Sequence, residues 1–130
     1  IYSTFAYLAE SVREINAGLP IRVLPGVSSI QLAASRLGVS LAQGAERFSV
    51  LPLPDDVAVL DSIVPLFDTV VLMKIGRRYP ELHEYLRSRE LLGRTGFVAY
   101  AGQDREIVKE RLGDSDGDLP GYLSTVIIRP

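Results

Sequence analysis

Cysteine is absent from the 130 residues, which excludes disulfides, thiolate nucleophiles and zinc–thiolate sites together. A single histidine excludes a histidine-rich centre as well, so no metal site is expected. Long apolar runs are also missing. Thr69 to Met73 is typical, far short of the roughly 20 residues that span a bilayer. No basic stretch leads into an apolar segment as in a signal peptide. Lys and Arg number 14 against 16 Asp and Glu, for a net charge of −2, and that balance does not favour nucleic acid. These absences lead us to expect a cytoplasmic protein with neither a membrane nor a nucleic-acid partner. No GxGxxG, P-loop or GxSxG motif occurs, and no cluster pairs a nucleophile with a base. Any chemistry must therefore reside in a bound cofactor, or the chain is not an enzyme by itself.

What is present is the material of one globular domain: 47% hydrophobic and 23% charged residues, without repeats or low-complexity linkers. Behind Ser3 and Thr4, Phe5, Leu8, Val12 and Ile15 recur at helical spacing, predicting a helix to about Ala17 that Gly18 and Pro20 end. A capped helix is an unusual opening for a domain, and further sequence is expected upstream. Ile21 to Leu24 reads as a short buried strand. Ser28 followed by Gln31 is a capping-box pattern for a second helix that stops at Gly38. Phe48 to Leu51 and Asp68 to Lys74 read as strands, the latter covered on both faces. Asp55 and Asp56 suit the start of a helix to about Leu66. Pro80 opens another, to about Leu92, and Thr95 to Tyr100 is a strand. Asp104 caps a helix through Leu112, and Tyr122 to Ile128 closes as a strand. This alternation predicts an α/β fold, with a roughly five-stranded sheet flanked by helices on both faces.

Three strand ends are candidate sites, each with a plainer alternative. Pro25-Gly26-Val27-Ser28-Ser29 either cradles a ligand at a helix N-terminus or is simply a tight turn with its cap. Met73 to Arg78 leaves the carboxyl end of the best strand, where open α/β sheets form ligand crevices. There Met73 either packs on a ligand or belongs to the core, and Lys74, Arg77 and Arg78 either meet an anion or are merely solvated. Tyr100-Ala101-Gly102 leaves room for a ligand or makes a turn. His83, between Glu81 and Glu84, is expected to be exposed and without a catalytic role. Asp114 to Asp118 imitates a calcium loop, but Gly117 falls at the fourth position and Thr125 at the twelfth, where the loop needs Gly at six and Glu at twelve.

Taken in order, Tyr2-Ser3-Thr4-Phe5, Val23 to Ser29, Ala33 to Val39, Val50-Leu51-Pro52, Phe67 to Arg77 and Tyr122 to Ile127 resemble the carboxy-terminal half of the tetrapyrrole (corrin/porphyrin) methylases. The YSTF and LMKIGR segments are similar to the precorrin-2 C20-methyltransferase branch of cobalamin biosynthesis. The resemblance covers essentially the whole chain. Ala45 stands where relatives usually carry Asp, and the family's amino-terminal half, with its glycine-rich loop, has no counterpart here.

The resemblance implies an S-adenosylmethionine-dependent methyltransferase acting on precorrin-2 or cobalt-factor II. Residues 1–130 would form its single C-terminal α/β domain, the donor-binding half, inactive alone. The complete enzyme would be a homodimer. It further implies that Ile1, Ser3, Thr4, Ser28, Ser29, Met73 and Ala101 contact the donor, with Ser124 and Thr125 as further contacts on the last strand. From charge and position, Lys74 and Arg77 are candidates for substrate carboxylates. Another tetrapyrrole methylase, or a non-catalytic structural or dimerisation module, remains the alternative.

Overall fold

The computed structural model describes residues 4–129. Its centre is one mixed five-stranded sheet in the order β1-β2-β5-β3-β4. The strands are β1 (Phe48–Pro52), β2 (Thr69–Met73), β3 (Thr95–Ala99), β4 (Ile107–Lys109) and β5 (Ser124–Ile128). β1 and β2 are parallel, while β5 runs antiparallel to both β2 and β3, and β4 antiparallel to β3.

Strand periodicity divides the apolar residues between two faces. Val70, Leu72, Phe97, Ala99, Val126 and Ile128 enter one core. Val71, Val98 and Ile127, the intervening positions, enter the other. The unbroken apolar run of β2 is thus a strand buried on both sides, as expected. On the first face lie the short helix α3 (Leu60–Ile63) and α4 (Tyr79–Ser88). Helix α4 buries Tyr79, Leu82, His83 and Leu86, the i, i+3, i+4, i+7 stripe of an amphipathic helix. On the second face α2 (Ser29–Leu37) buries Ile30, Ala33, Ala34 and Leu37 at the same spacing. Gly38 ends α2 in the left-handed conformation, φ 66°, which costs glycine nothing. Each Val, Leu, Ile or Phe side chain fully buried in these layers contributes about 1.5–3 kcal/mol.

Helix α1 (Phe5–Ile15) behaves differently. It buries only Ala9, while Tyr7 and Ile15 are 74% and 87% exposed. The following stretch is equally bare, with Val23, Leu24 and Val27 all exposed. Among the described residues no helix is long and apolar enough to cross a membrane.

Five expectations are corrected. Ile21 to Leu24 is not a strand: it pairs with none of the five strands of the sheet, and a segment without a neighbour has no ladder to join. The helix expected from Asp104 to Leu112 is replaced by β4, whose Ile107 to Lys109 take the free edge of β3. Helical periodicity there yields to the pairing that β3 offers. His83 is buried, 5% exposed, because it shares the inward stripe of α4. Its Nε2 lies 2.9 Å from the Gly113 carbonyl oxygen. The Asp55-Asp56 helix forms in pieces, 3-10 turns at Val57–Val59 and Val64–Leu66 flanking α3, and α4 stops at Ser88, short of Leu92.

Candidate functional site

The antiparallel course of β5 brings three chain ends to one edge of the sheet. Ser124 pairs with Ala99 and Val126 with Leu72, so the start of β5 lies beside the carboxyl ends of β2 and β3. Helix α2 runs against β3 in direction. Leu37, its last residue, lies so close to Gly96 near the start of β3 that a Cβ on Gly96 would stand 2.6 Å from the Leu37 side chain. The other end of α2, Ser29, therefore reaches the carboxyl end of β3. Its free N–H groups come with it.

Between these elements lies a cavity of about 710 Å³, within the range of small-molecule sites. Its apolar surface comes from Leu32 of α2, Met73, Val98, Ala101 and Leu123, and its polar groups from Thr4, Ser29, Lys74, Gln103, Ser124 and Thr125. Most of the nominated residues therefore converge: Thr4, Ser29, Met73, Ala101, Ser124 and Thr125 all line it. Ser28 does not, serving as the N-cap of α2, where its N–H donates to Gln31 Oε1 at 3.4 Å. Ile1 and Ser3 lie outside the described residues. Lys74 lines the cavity, whereas Arg77 lines a neighbouring one of about 550 Å³.

The rim holds unusual backbone. Lys74, Tyr100 and Leu123 have φ of 55°, 54° and 50°, the left-handed region that disfavours side chains by about 1–2 kcal/mol per residue. All three line the cavity. Such strain survives only where the surroundings over-determine it, and here hydrogen bonds do so. Tyr100 N–H donates to the Leu123 carbonyl at 3.0 Å and Gly76 N–H to the Gly121 carbonyl at 3.1 Å. The Ser124 hydroxyl donates to that same Gly121 carbonyl at 2.7 Å. A Cβ on Gly121 would stand 1.9 Å from the Gly76 carbonyl oxygen, so only glycine permits this approach.

The loop after β3 is fixed electrostatically. Glu106 accepts from the Gly102 N–H and from Arg36 Nε of α2, the latter at 3.0 Å. These bonds, the backbone one first, hold its carboxyl below the usual carboxylate range. Arg105 stacks its guanidinium 3.8 Å from the Tyr100 ring centre. Sequence reasoning missed Leu32, Gln103, Gly121, Tyr122 and Leu123 as lining residues. Gly121-Tyr122 carried a signal, a glycine just before a strand, but its meaning depends on the direction of β5.

Comparison with known proteins gives a consistent picture. The family model for Tetrapyrrole (Corrin/Porphyrin) Methylases matches residues 1–115. The chain is 28% identical to a probable cobalt-precorrin-2 C(20)-methyltransferase of Methanocaldococcus jannaschii, over 99% of this chain and 54% of that protein. It is likewise 28% identical to a precorrin-2 C(20)-methyltransferase of Sinorhizobium, over 95% of this chain and 49% of the relative. The chain thus spans about half the length of the curated relatives it matches. Uroporphyrin-III C-methyltransferase from Thermus thermophilus, solved in complex with S-adenosylhomocysteine, shares the fold, with a TM-score of 0.59 at 21% identity, covering 98% of this chain and 57% of that one.

Proposed function

Because this chain belongs to the tetrapyrrole (corrin/porphyrin) methylases, we propose that it is the methyl-donor-binding half of a methyltransferase of cobalamin biosynthesis. The donor is S-adenosylmethionine, and the acceptor is carbon 20 of precorrin-2 or of its cobalt-containing counterpart. The observation that carries this reading is the convergence of Ser29, Met73, Ala101, Ser124 and Thr125 on one cavity, with the relatives' names supplying the reaction.

The residues fit the donor chemically. Leu32, Met73, Val98 and Ala101 offer an apolar slot for a flat heterocycle, and the hydroxyls of Ser29, Ser124 and Thr125 offer partners for a ribose or an amino-acid tail. The donor's sulfonium supplies an already activated methyl group, so the protein's task is positioning and not nucleophilic attack. Met73 and Ala101 orient the bound molecule, the strained rim fixes where its open side faces, and Glu106 holds the loop that carries Ala101 and Gln103. We assign Ile1, Ser3 and Thr4 to the same cleft and Lys74 and Arg77 to the acceptor's anionic groups. Ser28 acts through the N-terminus of α2.

The bare apolar surface of α1 supports a two-part enzyme, in which the remainder covers Phe5, Tyr7 and Leu8 and completes the acceptor site. The complete enzyme is read as a cytoplasmic homodimer.

A backbone NMR titration of the 130-residue chain with S-adenosylhomocysteine tests the reading. Shifts should concentrate at Ser28, Ser29, Met73 and Ala101 and vanish in Met73→Arg. Millimolar ligand that moves no resonance, or moves only those of α4, would dismiss the cavity as a donor site.

A further inference from the structure

The segment from Gly113 to Gly121 leads from the β4 edge of the sheet to the donor cavity. It reads Gly-Asp-Ser-Asp-Gly-Asp-Leu-Pro-Gly, with three glycines in nine residues, a composition that leaves a chain loose unless something holds it. Its own backbone does little. Asp116 N–H returns to the Gly113 carbonyl at 3.1 Å and Leu119 N–H to the Asp116 carbonyl at 3.4 Å. Among the described residues no backbone hydrogen bond joins residues 113–120 to another element. Yet this segment delivers Gly121, Tyr122 and the left-handed Leu123 to the cavity. Strain at Leu123 persists only where the chain leading into it is fixed.

Side chains supply the hold, two of them from one face of α4. At the start of that helix, Tyr79 lies so close that a Cβ on Gly121 would stand 3.0 Å from the Tyr79 Cβ. One turn on, His83 meets the other end of the segment. Its Nε2 lies 2.9 Å from the Gly113 carbonyl oxygen, and because a carbonyl only accepts, Nε2 carries the hydrogen. Gly117 rests on the same ring, where a Cβ would stand 3.5 Å from Nδ1. Asp116 closes the turn, accepting from Gly113 N–H and from Lys109 Nζ, each at 2.9 Å. Leu119 packs against the core. Tyr79 holds by shape alone, since its buried hydroxyl has no hydrogen-bond partner among the described residues. The directional bond from α4 is that of His83.

We infer that His83 is a positioning residue for the methyl donor. It does not line the cavity, but it pins the far end of the segment whose near end forms the cavity wall. This role rests on the donor-binding reading of that cavity. Packing alone does not call for histidine here: Leu82 and Leu86 fill the same buried stripe, and a leucine would bury no polar atoms. What the imidazole adds is a donor aimed at Gly113. At 5% exposure its bond is shielded from water and correspondingly firm.

The test compares His83→Leu, which removes the donor, with His83→Gln, whose amide places an N–H near the Nε2 position. Leu86→Val, further along the same buried stripe, controls for simple loss of packing. Each 130-residue variant is read by NMR amide relaxation for backbone order, by calorimetry with S-adenosylhomocysteine, and by its urea midpoint. In His83→Leu the Tyr122 and Leu123 amides should lose order, and affinity should fall about fivefold, the worth of one neutral hydrogen bond. His83→Gln should recover most of both. Leu86→Val should lower the urea midpoint and leave rim order and affinity unchanged. A His83→Leu variant that loses only stability makes His83 a packing residue and overturns the role. Loss of rim order without loss of affinity overturns it as well. Equal losses in His83→Gln and His83→Leu would trace the effect to the ring's packing and not to its bond, which also overturns it. If the unsubstituted chain binds no S-adenosylhomocysteine, the donor reading fails, while the relaxation measurements still decide whether His83 holds the rim.

Discussion

The two ends of the sheet are built to different standards. At the far end, strands begin and end in ordinary backbone, tied by bonds such as Asp68 N–H to the Arg47 carbonyl at 2.9 Å and Arg129 N–H to the Arg94 carbonyl at 3.0 Å. At the cavity end, three side-chain-bearing residues flanking three neighbouring strands sit in the left-handed region, and a glycine pair touches backbone to backbone. Of the four such non-glycine residues in the described chain, only Glu90 lies away from the cavity. A fold needs none of this to close its sheet. The difference separates backbone that merely connects from backbone held in place to shape a site.

Glycine substitutions break the comparison most sharply. Gly121→Ala should cost about 3 kcal/mol of stability, because its Cβ would meet a carbonyl and not a movable side chain. At the far end, a Cβ on Gly93 would meet nothing within 4 Å, and its φ is not left-handed. Gly93→Ala should therefore stabilise by roughly 0.5 kcal/mol through the unfolded chain. Urea midpoints of the two variants measure both effects, and equal destabilisation would erase the distinction between the ends.

The same contrast explains what could be read from the sequence. The strands at Phe48, Thr69 and Thr95, the α2 caps at Ser28 and Gly38, and the two-faced burial of β2 are local or periodic signals, and all were legible. Direction was not. Helix-strand alternation says nothing of β5 running antiparallel between β2 and β3, yet that alone puts Gly121, Tyr122 and Leu123 at the site. The Asp104 to Leu112 segment failed for a related reason, since only the tertiary fold shows that β3 has a free edge. His83 was misjudged despite a readable signal: it lies four residues after Tyr79 and three before Leu86, on the stripe that α4 buries. Family resemblance nominated Met73, Ala101, Ser124 and Thr125, and the geometry now gathers them around one cavity.

Relieving strain should sharpen the comparison with a smaller effect. Leu123 is 55% exposed, so Leu123→Gly loses little packing while removing the left-handed cost. A gain of about 1 kcal/mol is expected. Glu90→Gly, with φ of 57° outside the site, should gain a similar amount. Only the first should weaken S-adenosylhomocysteine, by about threefold, because only there does the strain hold a cavity wall. A loss of affinity in both variants would mean that the rim conformation has no special bearing on binding.

The smallest effect concerns Glu106, and its sign follows from linkage. Hydrogen bonds from Gly102 N–H and Arg36 hold its folded-state carboxyl below the ordinary value. The stabilisation it confers is therefore complete above the unfolded pKa, about 4.3, and is lost as pH falls through the lower folded value. Affinity for S-adenosylhomocysteine should stay level from neutral pH to about 5 and fall below about 4, as the loop carrying Ala101 and Gln103 comes free. Glu106→Gln keeps an acceptor for Gly102 but loses the ion pair, so it should bind about twofold more weakly at neutral pH and show no further acid loss. Asp61 provides the counterpart away from the cavity. Its carboxyl is also held low, by Arg89 first and then Tyr85, but those bonds tie α3 to α4. Asp61→Asn should alter the acid unfolding transition followed by circular dichroism and leave the affinity profile unchanged. An identical affinity profile in wild type and Glu106→Gln would show that the cavity loop stands without its carboxylate.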